Sequence, residues 1–392
     1  MKNEIDYLLN DDLSNNNSAI SQLTAHAVER QVLKFHQSLP NYQVSPLVNL
    51  SHLANFLNVA QIRVKDESNR FGLKAFKGLG ASYAMARIIA AKLALSSDEL
   101  SFKDLIKHQR SYQDLQFATT TDGNHGKAVA WAAELFGCQS HVFMPKGSSP
   151  HRVNAVKQFS DHVTVTDINY DDTVEWVKHI AQQNDWILLQ DTAWQGYQTI
   201  PDDIMRGYFS LISEIEDQDP EFWPSHVFLQ AGVGSLAAAI AAYFVNSKRA
   251  TPCFVLVEPK NADCFYRSIQ INDTQPHRRH GSLDTIMAGL ACGMPSVSAW
   301  EIIRNVTPAF IRCEDSITES GMRRYANPIG NDPAILSGES AAVTLGLLEH
   351  IMHNNELMPL KQKLKLDATS RLLLLSTEGD TDPDVYNKIM RE

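Results

Sequence analysis

Short runs rich in β-branched and aromatic residues alternate with longer amphipathic runs along most of this chain, and this alternation restricts the fold more than composition does. Runs of the first kind predict strands, and runs with apolar residues three and four positions apart predict helices. Strands that alternate with helices form βαβ units around a mostly parallel sheet. The chain is therefore predicted to be an α/β protein.

The element pattern also predicts two domains. The predicted strands are residues 62–65, 116–120, 141–144, 163–166, 186–190, 227–230, 254–258 and 372–376. The predicted helices include residues 127–135, 152–159, 172–183, 204–216 and 236–245. The four strands between residues 116 and 190 form a compact group, which we interpret as a small domain of residues 86–199. It is inserted into a large domain of residues 1–85 and 200–392, and each domain is expected to hold an open, twisted, mostly parallel sheet with flanking helices.

Composition excludes several classes of partner. Among 392 residues there are 35 Lys and Arg and 45 Asp and Glu, and the sequence pI is near 5.8, which argues against nucleic acid or an anionic membrane as a partner. Residues 1–18 are acidic and Asn-rich and contain no apolar core of a signal peptide. No apolar run is long enough to span a bilayer. The predicted location is the cytoplasm.

Neither the cysteines nor the histidines show the spacing of a metal site. The chain has 14 histidines without an HExxH or similar pattern, so no metal is predicted. Its five cysteines are scattered and include no CxxC pair, which argues against a zinc site or a disulfide scaffold. One bridge, such as Cys264 to Cys292, is left open.

A lysine lies between the first predicted strand and the helical pattern that follows it. Lys77 comes after Phe76 and before Gly78 and Gly80, so it can be half sheltered and still reach a ligand. Desolvation lowers the pKa of an amine, and a neutral amine attacks a carbonyl to form a Schiff base. Composition alone favours an ordinary surface lysine on a loop, and Lys74 is a nearby alternative.

A tight turn follows the next predicted strand, in the segment TTTDGNHGKAVAWAA of residues 119–133. Two glycines flank Asn124 and His125, and a helix begins at once. Such a turn directs free backbone N–H groups outward, which suits a carboxylate. The alternative is a capped helix start with Asp122 as an ordinary N-cap.

A glycine-rich turn occurs later, in the segment QAGVGSLAAAIAAYF of residues 230–244. Gly232 and Gly234 permit close approach of the backbone, and the Ala-rich helix after them offers its positive end to a phosphate. The dinucleotide fingerprint GxGxxG is absent because Ala237 stands at the third glycine position, so NAD is the weaker interpretation.

Two further strand ends carry polar side chains. Asp191 closes an apolar run, so its carboxylate is expected at the carboxyl edge of a sheet, although such an acid is more often a turn residue or a cap. The four leucines before Ser376 predict a buried strand, and a hydroxyl at its tip can bond a ligand nitrogen without forcing that nitrogen to be protonated. The residues leave the choice between Ser376 and Thr377 open.

In chain order, these segments resemble the fold-type II pyridoxal 5'-phosphate (PLP) enzymes, the superfamily of threonine dehydratase and tryptophan synthase β. The lysine motif of that superfamily is matched at four positions, with Leu79 where the motif has arginine; the matching residues are Phe76, Lys77, Gly80 and Ala81. The turn at Asn124 resembles its SxGNHA/G loop, with Asp122 where dehydratases carry a small residue. The QDTAWQGY string at residues 190–197 is similar to that of the diaminopropionate ammonia-lyases.

This resemblance implies a role for each segment. Lys77 would carry PLP beside Phe76, Asn124 would contact the phenolic oxygen of PLP, and Ser376 or Thr377 would bond its pyridine nitrogen. The phosphate would lie on the residues Gly232, Val233, Gly234, Ser235 and Leu236. The substrate would be bound by Thr121, Asp122, Gly123, His125 and Asp191.

The implied reaction is the α,β-elimination of D- and L-2,3-diaminopropionate to pyruvate and two ammonia, with Lys77 and Asp122 as bases on opposite faces. A substrate with a cationic β-amine needs an anionic partner, and Asp122 and Asp191 are assigned to that environment. A homodimer acting on a small amino acid is implied by analogy. Two alternatives stay open: a serine/threonine or D-serine dehydratase, and a non-catalytic PLP-binding protein.

Overall fold

The computed structural model describes residues 4–14, 17–25, 28–96, 100–121 and 123–391, and of Asp171 it describes the backbone only. Eleven strands lie in this part of the chain. They are β1 Ile5–Leu9, β2 Leu47–Asn49, β3 Gln61–Asp66, β4 Gln116–Thr120, β5 Gln139–Met144, β6 His162–Val165, β7 Ile187–Leu188, β8 His226–Gln230, β9 Cys253–Pro259, β10 Ala309–Cys313 and β11 Arg371–Ser376.

Seventeen α-helices connect or flank these strands in the same described residues. They are α1 Ser18–Leu23, α2 Val28–Gln37, α3 Ser51–Leu57, α4 Gly78–Lys92, α5 Phe102–Ile106, α6 Asn124–Phe136, α7 Pro150–Lys157, α8 Tyr170–Gln183, α9 Thr199–Gly207, α10 Phe209–Gln218, α11 Ser235–Asn246, α12 Cys264–Ile271, α13 Val297–Val306, α14 Asp315–Ala326, α15 Val343–His353, α16 Met358–Leu364 and α17 Pro383–Arg391.

The strands form two sheets. The larger has the order β1-β10-β9-β8-β11-β3-β2, and all its neighbours are parallel except the two outermost pairs, β1 with β10 and β2 with β3. The smaller has the order β6-β5-β4-β7 and is parallel throughout. The predicted α/β class with two mostly parallel sheets is confirmed.

The leucines of β11 show why the larger sheet lies at the centre of its unit. Leu373 and Leu375 pack into one hydrophobic cluster, and Leu372 and Leu374 pack into another on the opposite face. All four side chains are fully buried. A strand covered by helices on both faces is apolar without alternation, as this run is.

Local sequence signals place the helices of the smaller sheet. The Ser149 side chain accepts a hydrogen bond from the backbone N–H of Arg152 and caps α7, whose first residue is Pro150. The Asn169 side chain caps α8 by accepting from the N–H of Asp172 at 2.9 Å. Such caps satisfy N–H groups that the first turn of a helix leaves without partners.

Some predictions about the elements need correction. Strands β1, β2 and β10 were not predicted; β1 and β2 are half-exposed edge strands, and β10 is a mostly buried strand between β1 and β9. The predicted helix of residues 204–216 is two helices, α9 and α10, which meet at Tyr208. The break follows Gly207, where a Cβ would lie 2.6 Å from the Leu79 carbonyl oxygen, so α9 lies directly against α4.

The strands of the smaller sheet all lie within residues 86–199, and the proposed boundary at residue 85 falls inside α4. The five cysteines all belong to the described part of the chain, and none forms a disulfide, so the bridge left open between Cys264 and Cys292 is not formed. No helix among the described residues is long and apolar enough to cross a membrane.

Candidate active site

A cavity of about 990 Å³ lies between the carboxyl ends of the two sheets. Residues from both sheets form its walls, as expected for a ligand site in an open α/β fold. Sequence-predicted residues on its walls are Phe76, Lys77, Thr121, Gly123, Asn124, His125, Asp191, Gly232, Val233, Gly234, Ser235, Leu236 and Thr377. Asp122 lies outside the described residues.

Lys77 stands at the start of α4, directly after the loop that leaves β3. The loop is fixed to the tip of β11, because the N–H of Phe76 donates to the Thr377 carbonyl oxygen at 3.0 Å. The Lys77 side chain is 18% exposed, and its Nζ donates to Oδ2 of Asp191 at 2.6 Å. The competing Lys74 donates instead to Asp380 at 2.7 Å, and its side chain is 44% exposed.

The expected depression of the Lys77 pKa is wrong. Burial does lower the pKa of Lys77, but the adjacent Asp191 carboxylate outweighs burial, and the net pKa lies above its ordinary value. Burial raises the pKa of Asp191, but the neighbouring His125 and Lys77 outweigh burial and lower the pKa to about 2. The two side chains therefore form an ammonium–carboxylate pair across the cavity.

The glycine turn leads from β8 into α11. Gly234 has φ +90°, a conformation that favours glycine, and a Cβ there would lie 2.3 Å from the ring of Phe265. At Gly232 a Cβ would lie 3.0 Å from both the Sγ of Cys292 and the carbonyl oxygen of Gly289. Neither position has room for a side chain, and both glycines line the cavity, so the N–H groups at the start of α11 can meet an anion there.

The asparagine turn joins β4 to α6 on the opposite wall. The Asn124 side chain donates to Oε2 of Glu378, which in turn accepts from the N–H of Ser340 at 2.9 Å through Oε1. Thr121 Oγ1 accepts from the N–H of Gly123 at 2.9 Å and so fixes the turn.

His125 is buried beside the ion pair. Its Nε2–H donates to the Leu189 carbonyl oxygen at 2.9 Å, because that oxygen can only accept. Its Nδ1 lies 3.7 Å from Oδ2 of Asp191 and has no hydrogen-bond partner among the described residues. Burial lowers the pKa of His125, so near neutral pH Nδ1 is an acceptor.

The structure separates the two hydroxyls at the tip of β11. Thr377 lines the cavity, and its Oγ1 accepts from Nε2 of Gln230 at 2.9 Å. Ser376 is fully buried away from the cavity, where its Oγ donates to Oγ of Ser337 at 3.0 Å. Adjacent residues of a strand point to opposite faces, so only one of the two can face the site. Thr377 is that residue.

Sequence reasoning missed several cavity residues. Gln230 is a polar residue at the end of an otherwise apolar strand, and Glu378 follows Thr377 directly; both positions were available as signals. Tyr208 gave no signal, because its place on the wall depends on how α9 packs on α4. Its hydroxyl is buried and has no partner within the described residues.

Residues 39–357 match the family described as "Pyridoxal-phosphate dependent enzyme", and the chain belongs to this family. The lysine, the anion-binding turn and the hydroxyl that line the cavity fit PLP. Lys77 can attach its aldehyde, the turn at Gly232 and Gly234 can hold its phosphate, and Thr377 can meet its ring nitrogen. No group of side chains that could hold a metal occurs among the described residues.

Within this family the chain is a member of the diaminopropionate ammonia-lyases. It is 47% identical to the "Diaminopropionate ammonia-lyase" of Salmonella typhimurium, over 95% of this chain and 94% of that protein. The crystal structure of holo diaminopropionate ammonia lyase from Escherichia coli matches with a TM-score of 0.91 and 43% identity, over 98% of this chain and 96% of that one.

The same Escherichia coli enzyme is solved with an aminoacrylate-PLP azomethine reaction intermediate, and that structure matches with a TM-score of 0.89 and 42% identity, over 98% of this chain and 96% of that one. The resemblance inferred from the sequence motifs is therefore confirmed at the level of the family and its cofactor.

Proposed function

We propose that this chain catalyses the PLP-dependent α,β-elimination of 2,3-diaminopropionate, as both D and L isomers, to pyruvate and two ammonia. One observation carries the proposal: Lys77 and Asp191 face each other at 2.6 Å, between the glycine turn on one wall and the asparagine turn on the other. The similarity to diaminopropionate ammonia-lyases over nearly the whole chain supports the choice of substrate.

Bound PLP supplies an electron sink for the electron pair left on the α-carbon. The protein has to hold the cofactor, orient the substrate and move protons. We assign Lys77 to attachment, Asn124 and Thr377 to the two polar edges of the ring, and the turn at Gly232–Leu236 to the phosphate. Phe76 lies beside Lys77, with its ring centroid 5.6 Å from Nζ.

Asp191 distinguishes a diamino substrate from serine. Lys77 is one of the cations that hold the pKa of Asp191 low, so the buried carboxylate needs another cationic partner when the Lys77 ammonium is no longer beside it. The cationic β-amine of diaminopropionate can then take the place of that ammonium. A serine hydroxyl offers no positive charge to a buried carboxylate, so serine leaves Asp191 poorly compensated. His125, with an acceptor Nδ1 3.7 Å from Asp191, extends this environment.

Removing the α-proton from both enantiomers requires a base on each face of the substrate. We assign Lys77 to one face, since its amine is available once the substrate is bound. By the family resemblance we assign Asp122 to the other face, for the D isomer. Thr121 and Gly123, with the N–H groups at the start of α6, are assigned to the substrate carboxylate.

We also propose that the chain works as a homodimer in the cytoplasm, by analogy with the superfamily and from the composition. The residue roles proposed above all belong to one chain and depend neither on the dimer nor on the location.

The decisive experiment reconstitutes the purified protein with PLP, records its absorption spectrum, and measures pyruvate from D- and L-diaminopropionate. L-serine, D-serine and L-threonine serve as comparison substrates. We expect a PLP spectrum and turnover of both diaminopropionate isomers well above all three comparison substrates. Turnover of serine with none of diaminopropionate would make the chain a dehydratase, and PLP binding without any turnover would make it a non-catalytic binder.

A further inference from the structure

The Gln230 side chain joins the ends of two neighbouring strands at the cavity wall. Its Nε2 donates to Oγ1 of Thr377 at 2.9 Å and to the carbonyl oxygen of Leu375 at 3.0 Å. Gln230 and Thr377 are each 4% exposed, and both line the cavity. An amide nitrogen has two hydrogens, so both are used by these two contacts.

The orientation of this amide is determined by its partners. A backbone carbonyl oxygen can only accept, so the Nε2 side of Gln230 must face Leu375, and the same nitrogen reaches Thr377. Oε1 of Gln230 has no hydrogen-bond partner among the described residues. The reversed amide is excluded, because it would place Oε1 against the carbonyl oxygen of Leu375, and two oxygens without a hydrogen between them repel each other. The Thr377 hydroxyl is therefore an acceptor toward Gln230.

A hydroxyl that accepts on one side is left with its single hydrogen to donate elsewhere. Thr377 is on the cavity wall, so the hydrogen is available to a ligand there. A neutral donor stabilises an acceptor nitrogen that carries no proton, whereas a carboxylate at the same place would stabilise the protonated form. By accepting from the Gln230 amide, the Thr377 hydroxyl is left to donate, and a ring nitrogen next to it is therefore favoured in its unprotonated state.

We propose that Gln230 is a positioning residue: it turns the Thr377 hydroxyl hydrogen toward the pyridine nitrogen of the cofactor and so holds that nitrogen unprotonated. This inference rests on the proposed function, in which Thr377 meets the pyridine nitrogen of PLP. It adds Gln230, which belongs neither to the lysine motif nor to the asparagine turn or the glycine turn.

The test is the ¹⁵N chemical shift of ¹⁵N-labelled PLP bound to the protein without substrate. In the wild type we expect the shift of an unprotonated, hydrogen-bonded pyridine. In Gln230→Glu the carboxylate accepts the Thr377 hydrogen, so the hydroxyl presents lone pairs to the ring and the shift should move toward the pyridinium value. Gln218→Glu makes the same charge change at a residue that does not line the cavity, and it should leave the shift unchanged.

A protonated nitrogen in the wild type, or a Gln230→Glu shift equal to that of the wild type, would overturn the proposal. If Gln230→Glu does not fold or retain PLP, Thr377→Val provides the second test. Thr377→Val has no hydroxyl at this position, so the pyridine nitrogen of bound PLP should show the ¹⁵N shift of a pyridine that accepts no hydrogen bond. A ¹⁵N shift equal to that of the wild type would refute the inference.

Kinetics give an independent measurement. Gln230→Glu should lower kcat for diaminopropionate about 2- to 12-fold, the size of one neutral hydrogen bond, with KM little changed. A purely structural role would lower cofactor content and leave kcat per bound PLP unchanged. Failure of the wild type to bind PLP or to form pyruvate would instead contradict the proposed function, which the ¹⁵N shift does not test.

Discussion

The two sheets supply opposite walls of one cavity, but they are buried to very different extents. The glycine turn follows β8, which lies between β9 and β11 and is buried at all five residues. The asparagine turn follows β4, whose neighbour β7 has two half-buried residues, and the outer strand β6 is mostly exposed. Two large hydrophobic clusters pack on the faces of the larger sheet, and one of them extends to Phe117 of β4 and to α6. The other clusters of the smaller sheet are small.

From this difference in burial we infer that the larger sheet binds the cofactor and the smaller sheet binds the substrate. The larger sheet holds its turn by deep packing, which suits a cofactor that stays bound through every turnover. The smaller sheet has less packing to lose when it shifts, which suits a substrate that enters and leaves. Changes on the larger sheet should therefore affect cofactor retention, and changes on the smaller sheet should affect substrate selection.

The largest effect is expected at Lys77, where the two walls meet. Lys77→Ala should lower pyruvate formation by about 10⁴-fold, because it removes both the attachment point and one base. Lys74→Ala is the matched control and should stay near wild type, since Lys74 pairs with Asp380. Borohydride reduction and peptide mapping of the wild type should place the pyridoxyl group on Lys77, and a label on Lys74 would contradict the site.

Asp122→Asn tests the second base. Turnover of the D isomer should fall by about 10²–10⁴-fold, and turnover of the L isomer should fall less. PLP content should stay at the wild-type level. Equal losses for both isomers would reassign Asp122 to substrate binding, and no loss for either would leave it as a helix cap.

Asp191 tests whether a buried carboxylate selects the diamino substrate. Asp191→Asn should lower kcat/KM for diaminopropionate about 10- to 150-fold, the range expected for a hydrogen bond to a charged group. The ratio of diaminopropionate to serine turnover should fall with it. Asp203→Asn removes a buried, ion-paired carboxylate that does not line the cavity, and it should leave that ratio unchanged. A preserved ratio in Asp191→Asn would refute the assignment.

Gly234 tests the wall of the larger sheet. Gly234→Val should weaken PLP binding about 5- to 150-fold more than Gly196→Val does, because overpacking costs about 1–3 kcal/mol. The two glycines have similar positive φ angles, +90° and +85°, but a Cβ at Gly196 meets nothing within 4 Å. Equilibrium dialysis of PLP measures the difference. Equal affinities would mean that the phosphate lies elsewhere.

The smallest effect concerns acid stability and two buried histidines. His36, behind α4, donates from Nε2 to the Leu79 carbonyl oxygen at 2.9 Å, and burial lowers its pKa to about 3. Burial also lowers the pKa of His141 in β5, to about 4. Unfolding lets each imidazole take up a proton below about pH 6.5, so stability should fall as the pH falls from 6.5 toward these values.

The slope contributed by His36 should approach about 1.4 kcal/mol per pH unit, and that of the less buried His141 should be smaller. Urea unfolding of the PLP-free protein between pH 7 and 4 measures it. His36→Phe should flatten the dependence more than His141→Phe does. Parallel curves for the wild type and His36→Phe would show that His36 does not titrate as described.

Much of the fold and the chemistry could be predicted from the sequence because the signals are local. Eight of the eleven described strands follow from short apolar runs, and two of the three missed ones lie at the edges of the larger sheet. The lysine junction, the asparagine turn and the glycine turn each lie within about fifteen consecutive residues, where backbone geometry follows from glycine positions and helix starts. The family and the cofactor followed from those segments taken in order.

The tertiary structure alone decided how these segments act on one another. It set Lys77 against Asp191, 114 positions away, and so raised the lysine pKa that burial alone would lower. It turned Thr377 rather than Ser376 to the cavity and placed Gln230 against that hydroxyl, 147 positions away. Coulomb and hydrogen-bond energies depend on distances of a few ångströms. Those distances are fixed by which strands pair within a sheet and by how the two sheets pack, which no local pattern specifies.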